Sequence, residues 1–253
     1  MQIKILSYNI HKAIGLDQRF RPERIVRILD HHQADIVLLQ EVDMGVPRSQ
    51  RLNLAEEIAA AAGYPHFALG LNVALRVGHY GNATLSRLPI VRQRNIDLTI
   101  DSHKRRGALH ATLLLEREHE GPVRLEVFNL HLGLSARERS RQLGLLARSP
   151  EFTALTPQSP CLVGGDFNDW RTLLAPIFTE ILGFACATNE QYGSERPLRT
   201  YPSLSPTGSL DKIFCRGPFE VTGGRRCRLN ISRIASDHLP VIATLELTGS
   251  VAA

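Results

Sequence analysis

The stretch "CLVGGDFNDW", residues 161–170, begins as an apolar strand and then sets Asp166, Asn168 and Asp169 where the hydrophobic run stops. Gly, Asp and Asn are turn formers, so a turn leading into a helix near Trp170 would account for the stretch by itself. The same residue types can also act on a phosphate ester. A carboxylate can take a proton from water, and an amide can donate to a phosphoryl oxygen. In an extended segment residues two apart face the same way, so Asp166 and Asn168 would look into one cleft with Phe167 buried between them. Gly164 and Gly165 would leave the backbone bare for close approach.

Other segments share this grammar. "IKILSYNIH" (3–11) finishes on Asn9 and His11, "ADIVLLQEV" (34–42) runs into Gln40 and Glu41, and "RLEVFNLHLG" (124–133) reaches Asn129 and His131. Each reads as a short buried strand with polar residues at its far end. Between the first two lies "RPERIVRILDHH", a helix with Pro22 near its start and Ile25, Ile28 and Leu29 on one face. Toward the C-terminus the order inverts: Asp211 opens "LDKIFC", and Asp237 and His238 precede "LPVIATLEL". If these later strands run antiparallel to the earlier ones, their starts sit beside the others' ends and all the polar residues collect along one edge.

Taken singly, each of these residues is an ordinary turn residue; together they make a site. Glu41 suits a hard cation such as Mg²⁺, which takes oxygen ligands and is held by few carboxylates. Asp166 is placed to orient or deprotonate a water, and Asp211 is a candidate partner for His238, favouring the charged imidazole. No Ser or Cys nucleophile is required. His31 and His32 read as the end of a helix and "GYPHF" (63–67) as a turn.

The chain has 253 residues, 43% hydrophobic and 22% charged, which is globular composition with no linker to divide it, and a single domain over 1–253 is expected. No apolar run approaches the roughly 18 residues of a spanning helix, and "MQIKILSYNI" lacks a signal peptide's apolar stretch, so a cytoplasmic location is expected. Cys161, Cys186, Cys215 and Cys227 form no C-x-x-C pair and read as free, mostly buried thiols. A net charge of +5 favours an anionic partner, although "KRR" (104–106) and "RRCR" (225–228) are short groups of the kind usually found on solvated surface.

In this order, "SYNIH", "LQEV", "GNATLSRLP", "NLHLG", "GGDFND", "LDKIF" and "SDHLPV" resemble the motifs of the endonuclease/exonuclease/phosphatase superfamily of metal-dependent phosphoesterases, from residue 7 to 241. The resemblance implies an α/β fold, a four-layer α/β/β/α sandwich with two mixed β-sheets (DNase I-like), and "YNIH" against "FNLH" echoes that fold's internal pseudo-symmetry. It implies Glu41 as principal metal ligand, Asn9 beside metal and phosphate, and Asp237 at or near the metal. Asp166 would activate water, Asn168 would hold a phosphoryl oxygen, His131 and His238 would contact phosphate, and Asp211 would orient His238. Asn82 and Arg106 match motifs close to the cleft as substrate-binding positions, although Arg106 could equally lie on the surface. The implied cofactor is Mg²⁺, with Mn²⁺ able to substitute.

The "HL" of "NLHLG" and the "GNATLS" element separate the chain from the DNA-repair branch. With "NIHK", "GNATLSR", "GDFNDWR" and "SDHLP" the chain more closely resembles small bacterial hydrolases encoded beside cardiolipin synthase genes, from which it departs by reading "NIHKAIG" after the first strand. The leading expectation is therefore a Mg²⁺-dependent phosphodiesterase or phosphatase acting on a lipid headgroup or small molecule. A DNA or RNA nuclease is the alternative, favoured by the basic charge but not by the aromatic content of 6%. A non-catalytic phosphate-binding module is a third reading, which the intact set of acid, base and metal residues disfavours.

Overall fold

A computed structural model describes residues 1–116, 121–190 and 196–248. In chain order the elements are β1 (Gln2–Asn9), α1 (Pro22–His32), β2 (Ile36–Met44), α2 (Leu54–Ala61), β3 (His66–Ala74), β4 (His79–Ser86), β5 (Ile90–Asp97), β6 (Gly107–Leu115) and β7 (Val123–His131). There follow α3 (Ala136–Ala147), α4 (Pro150–Thr153), β8 (Cys161–Asp166), β9 (Ala185–Cys186), β10 (Asp211–Arg216), β11 (Phe219–Arg226), α5 (Ser232–Ala235) and β12 (Val241–Leu247). Two six-stranded mixed sheets form, in the orders β11-β12-β1-β2-β4-β3 and β5-β6-β7-β8-β10-β9.

Alternation along the strands sorts the side chains into layers. Ile3, Ile5, Ile36 and Leu38 of the first sheet pack against Leu113, Val127, Leu162 and Ile213 of the second. The opposite face of the first sheet, with Leu6, Tyr8, Val37 and Leu39, receives Ile25, Ile28 and Leu29 of α1 and Leu54 and Ile58 of α2. Behind the second sheet Phe128, Val163 and Phe214 meet Leu143 and Leu146 of α3 and Phe178. The result is the four-layer sandwich that the family resemblance implied. Pro22 starts α1 and Ser135 caps α3 by accepting the Glu138 N–H at 3.1 Å, both common ways to begin a helix.

β1 and β2 are parallel, as are β7 and β8, whereas β12 and β10 run antiparallel to β1 and β8. His131 and Asp211 both stand opposite Asp166 in the register of the second sheet. Among the described residues no helix is long and apolar enough to cross a membrane. The four cysteines are free, and Cys161, Cys215 and Cys227 are buried.

No helix starts near Trp170. The next helical stretch is a π-helical turn at Ile177–Ile181, because Asp169 spends its carboxylate on the Leu174 N–H at 2.8 Å and keeps the intervening chain looped. The two glycines of "GGDFND" also have a different use from the expected one. A Cβ on Gly164 would lie 2.6 Å from Leu38 Cδ1 of the facing sheet, and one on Gly165 would lie 2.0 Å from the Leu130 carbonyl oxygen, so they let β8 pack closely on its neighbours.

Candidate active site

The site begins where the inward-facing rows leave the apolar space between the sheets. Along β1 the row reads Ile3, Ile5, Ser7, Asn9; along β8 it reads Leu162, Gly164, Asp166; along β7, Val127, Asn129, His131. β10 enters the same layer through Asp211 before Ile213 and Cys215. One alternation therefore supplies both core and site. Polar residues replace apolar ones at the positions that emerge along a single sheet edge.

Asp166 is the point of convergence. Its Oδ2 accepts the Asn9 Nδ2–H at 3.0 Å and lies 3.6 Å from His131 Nε2 and 3.7 Å from His238 Nε2. Its Oδ1 accepts the backbone N–H of Asn168 at 2.9 Å. Asn168 does not continue an extended strand. Its φ is +50°, and the Asp166 carboxylate closes a local turn around the buried Phe167. "GGDFND" is thus both a turn and part of the site. Asn168 Nδ2 donates to the Leu132 carbonyl at 2.9 Å, which leaves its second amide hydrogen for another acceptor. Asp169 faces the scaffold, fully buried, with Arg139 Nη2 3.6 Å from its carboxylate.

His238 Nδ1 lies 2.8 Å from Asp211 Oδ2, and the Thr200 hydroxyl donates to that same oxygen at 2.5 Å. Burial by itself would lower the pKa of His238, but the Asp211 and Asp166 carboxylates outweigh it and raise the value to about 10, so the ring is an imidazolium at neutral pH. Burial pushes the Asp166 carboxyl upward. His131 moves the other way, well below the usual imidazole value, through burial and the nearby Arg106 guanidinium. The two histidines facing Asp166 therefore differ in charge. His131 is neutral where His238 is charged.

Glu41 reaches the edge by a different device. β2 carries an irregularity between Gln40 and Val42 against β4, and Glu41, at φ +58°, is the extra residue of that bulge. Its Oε2 is paired with Lys12 Nζ. Burial disfavours its charge, but the surrounding cationic groups hold its pKa at about 2. Lys12, in direct contact with the carboxylate, is one of those groups.

Asp237 is half-buried beside the Ser236 hydroxyl, 3.3 Å from its Oδ1, and adds to the negative field on His238. Ser236 ties this loop to β1 by donating to the Asn9 carbonyl at 2.7 Å and accepting the His238 N–H at 3.2 Å. Asn82 is fully enclosed and donates through Nδ2 to the Gly107 and Asn129 carbonyls at 3.2 and 3.0 Å, so it braces the two sheets beside the site. Arg106 is buried beside His131 rather than on the open surface, and its Nε has no hydrogen-bond partner.

An oxygen-rich set of this kind fits a hard divalent cation. Glu41 stands at the edge with its Oε2 paired to Lys12 Nζ, Asn9 Oδ1 accepts the His11 N–H and keeps a lone pair, and Asp237 is a nearby carboxylate without a cationic partner among the described residues. Asp166, Asp211 and His238 also gather their ligand-type atoms within 4.8 Å, but the His238–Asp211 hydrogen bond occupies that cluster as a proton-holding pair. Lys12, Thr200, Ser236 and Tyr201, whose ring centroid lies 4.9 Å from that of His238, complete the site and were not singled out by sequence. "RTYPS" (199–203) is a loop without periodicity, and its one signal was proximity to Asp211 in the chain.

A phosphoesterase-type arrangement on a two-sheet sandwich is what this geometry defines. The chain belongs to the Endonuclease/Exonuclease/phosphatase family, whose model matches residues 6–238. It is 32% identical over 252 residues to the uncharacterized protein YbhP of Escherichia coli, covering 96% of each chain. Among solved structures it is similar to an endonuclease/exonuclease/phosphatase from Beutenbergia cavernae, with TM-score 0.79 and 22% identity over 98% of this chain and 72% of that one. It also resembles D. rerio TDP2 complexed with a single-strand DNA product (TM-score 0.74, 18% identity, 97% of this chain and 99% of that one). A mannosyl-6-phosphatase of Bacteroides thetaiotaomicron is similar at TM-score 0.70 and 18% identity, over 96% of this chain and 99% of that one.

Proposed function

We propose that the chain, acting as one catalytic domain, is a Mg²⁺-dependent phosphodiesterase or phosphatase whose substrate is a small phosphate ester with an apolar part, such as a lipid headgroup on its acyl body. The observation that carries the chemistry is the Asp166 Oδ2 atom, faced by Asn9, His131 and His238 in a nearly dry edge. Asp166 takes the proton of the attacking water, and its raised pKa brings it closer to the range of an effective base. The His238 imidazolium, held by Asp211, faces the phosphoryl oxygen on which negative charge builds, and Asn168 donates its free amide hydrogen there. Glu41, Asn9 and Asp237 hold the cation, with Mn²⁺ able to replace Mg²⁺. When bound, it supplies neutralisation of phosphoryl and leaving-group charge.

The substrate preference is supported by the rim. Trp170 is 52% exposed, and Leu134, Leu173 and Leu204 also stand exposed on loops at this edge. Trp170 packs edge-on against Tyr201, which in turn covers His238. Large apolar side chains beside a charged site suit an ester whose other end is apolar. The motif resemblance to small hydrolases encoded beside cardiolipin synthase genes, carried by "GNATLSR" and "GDFNDWR", supports the same reading.

A nuclease is the second reading. Lys104 and Arg105 adjoin Arg106 at the same edge, and one structural neighbour holds a single-strand DNA product. The test is turnover with Mg²⁺ or Mn²⁺ on a monoester, a diester, phospholipid, plasmid and single-stranded RNA. Exhaustive chelation should stop turnover and either ion should restore it, and Glu41→Gln should raise the metal concentration needed for half activity. Full activity after chelation defeats the mechanism, and preferential cleavage of nucleic acid with steep salt dependence replaces the small-ester reading.

A further inference from the structure

A second charged concavity lies away from the catalytic set. Between the C-terminal end of α1 and the end of β11 there is a cavity of about 890 Å³, within the size range of small-molecule sites, and none of the catalytic residues lines it. Arg199, Arg225, Arg226 and Arg228 converge on it, His31 and His32 also line it, and Glu190 is the one acid among its described lining residues.

The ordinary reading of such arginines is solvated surface, and three features count against it here. Arg199, Arg225 and Arg228 make no ion pair with a carboxylate among the described residues, and Arg226 spends its bond on the Arg199 carbonyl at 2.6 Å. The guanidinium charges are close enough to feel each other, since burial and Arg228 both lower the pKa of Arg226. His32 is 95% buried by its 5% exposure, yet neither ring nitrogen has a hydrogen-bond partner. Burial, His31 and Arg225 hold that ring neutral, with a pKa of about 4, so His32 adds no charge of its own to the wall.

Converging guanidinium forks, of which Arg199, Arg225 and Arg228 pair with no carboxylate among the described residues, match phosphate oxygens in geometry and charge. We propose that this cavity binds a small anion carrying two or more linked phosphate groups, at a site distinct from the catalytic edge. A concavity of about 890 Å³ accommodates a compact polyphosphate, whereas a duplex spreads its phosphates along an extended backbone.

The test is calorimetric titration with inorganic tripolyphosphate at physiological salt, with chelator present so that no metal draws the anion to the catalytic edge. The expected result is saturable one-to-one binding, with orthophosphate far weaker. Arg225→Gln and Arg228→Gln should each weaken binding about tenfold or more, the scale of losing a charge-assisted hydrogen bond. Both variants avoid Arg226, whose bond to Arg199 lies one residue from Thr200, the donor to Asp211. Their kcat/KM on the best ester should stay at the wild-type value, which also verifies folding. Absence of saturable tripolyphosphate binding overturns the proposal, as does binding that both variants leave unchanged. A nucleoside triphosphate and a short DNA duplex as further titrants distinguish the source. Affinity that grows with duplex length and exceeds that for tripolyphosphate would show polyelectrolyte attraction in place of a built site.

Discussion

Tyr8-Asn9-Ile10-His11 ends β1 and Phe128-Asn129-Leu130-His131 ends β7, and the two strands occupy matching places in the two sheets. Each is flanked by one parallel and one antiparallel neighbour, β2 and β12 in the first sheet, β8 and β6 in the second. Each asparagine points across the space between the sheets. Asn9 reaches Asp166 on β8, whereas Asn129 reaches the backbone carbonyls of Leu39 and Ala83 at 3.0 and 2.9 Å and accepts Gln40 Nε2–H at 2.8 Å. Two similar strand ends thus meet a carboxylate in one case and a neutral amide in the other. A buried carboxylate attracts a charged histidine and can exchange a proton, while the amide network satisfies its own hydrogen bonds and closes. The repeated fold therefore carries one candidate site rather than two.

The largest expected effect removes that asymmetry. Asp166→Asn makes the Asn9 end resemble the Asn129 end, and kcat should fall by on the order of 10² or more with little change in substrate affinity. A variant with near wild-type kcat would mean that the carboxylate does not distinguish the two halves.

The His238 pair comes next. His238→Ala should cost on a similar scale, and the double variant with Asp211→Asn should be much less than additive. The pH profile gives the sign. With its pKa raised to about 10, His238 stays charged through neutral pH, so its contribution is present at low pH and is lost only as pH rises toward that value. Removing the Asp211 charge should move that loss to lower pH. Additive losses, or an alkaline limb that does not move, would break the pair.

Much of this was legible in the order of residues. The switch from apolar to polar at Asn9, His131 and Asp166, and the inverted order at Asp211, placed the site edge because strand alternation carries side chains from core to edge without a change of direction. What escaped had no period to read. Asn168 adopts φ +50° because the Asp166 carboxylate draws in its N–H, a local bond that overrides extension. Glu41 depends on a bulge, and nothing in "LLQEV" announces an extra residue. Thr200 and Tyr201 come from a loop whose course is set by distant contacts. Asn129 looked like a strand-end polar residue of the same kind as Asn9, and only the partner across the sheets separates them.

Asn129→Ala tests the other half of the comparison. It leaves the Leu39 and Ala83 carbonyls and Gln40 without their partner in a fully buried place, so stability should fall by about 1–3 kcal/mol, or on the order of 2–10 °C in Tm. The folded fraction should keep kcat within a few fold. A kcat loss as large as that of Asp166→Asn, at unchanged Tm, would place Asn129 in the chemistry and erase the contrast.

The smallest effect belongs to the loops that follow the twin histidines. After β1, Lys12 and Ala13 lie at φ +61° and +57°, a left-handed turn that presents Lys12 to Glu41. After β7, Gly133 makes room for Glu138, whose carboxyl carbon would lie 2.0 Å from an added Cβ. Alanine in the left-handed region costs about 1–2 kcal/mol, so Ala13→Gly relieves that strain. The same change removes a buried methyl worth about 0.8 kcal/mol and adds about 0.4–1 kcal/mol of unfolded-chain entropy. These terms nearly cancel, so the Tm of Ala13→Gly should stay within about 2 °C of wild type. Gly133→Ala must displace the Glu138 carboxylate and should lower Tm by more than that. A large loss in Ala13→Gly would show that the turn is held chiefly by the packing of its methyl, and equal effects at both positions would show that the two loops are interchangeable despite their different partners.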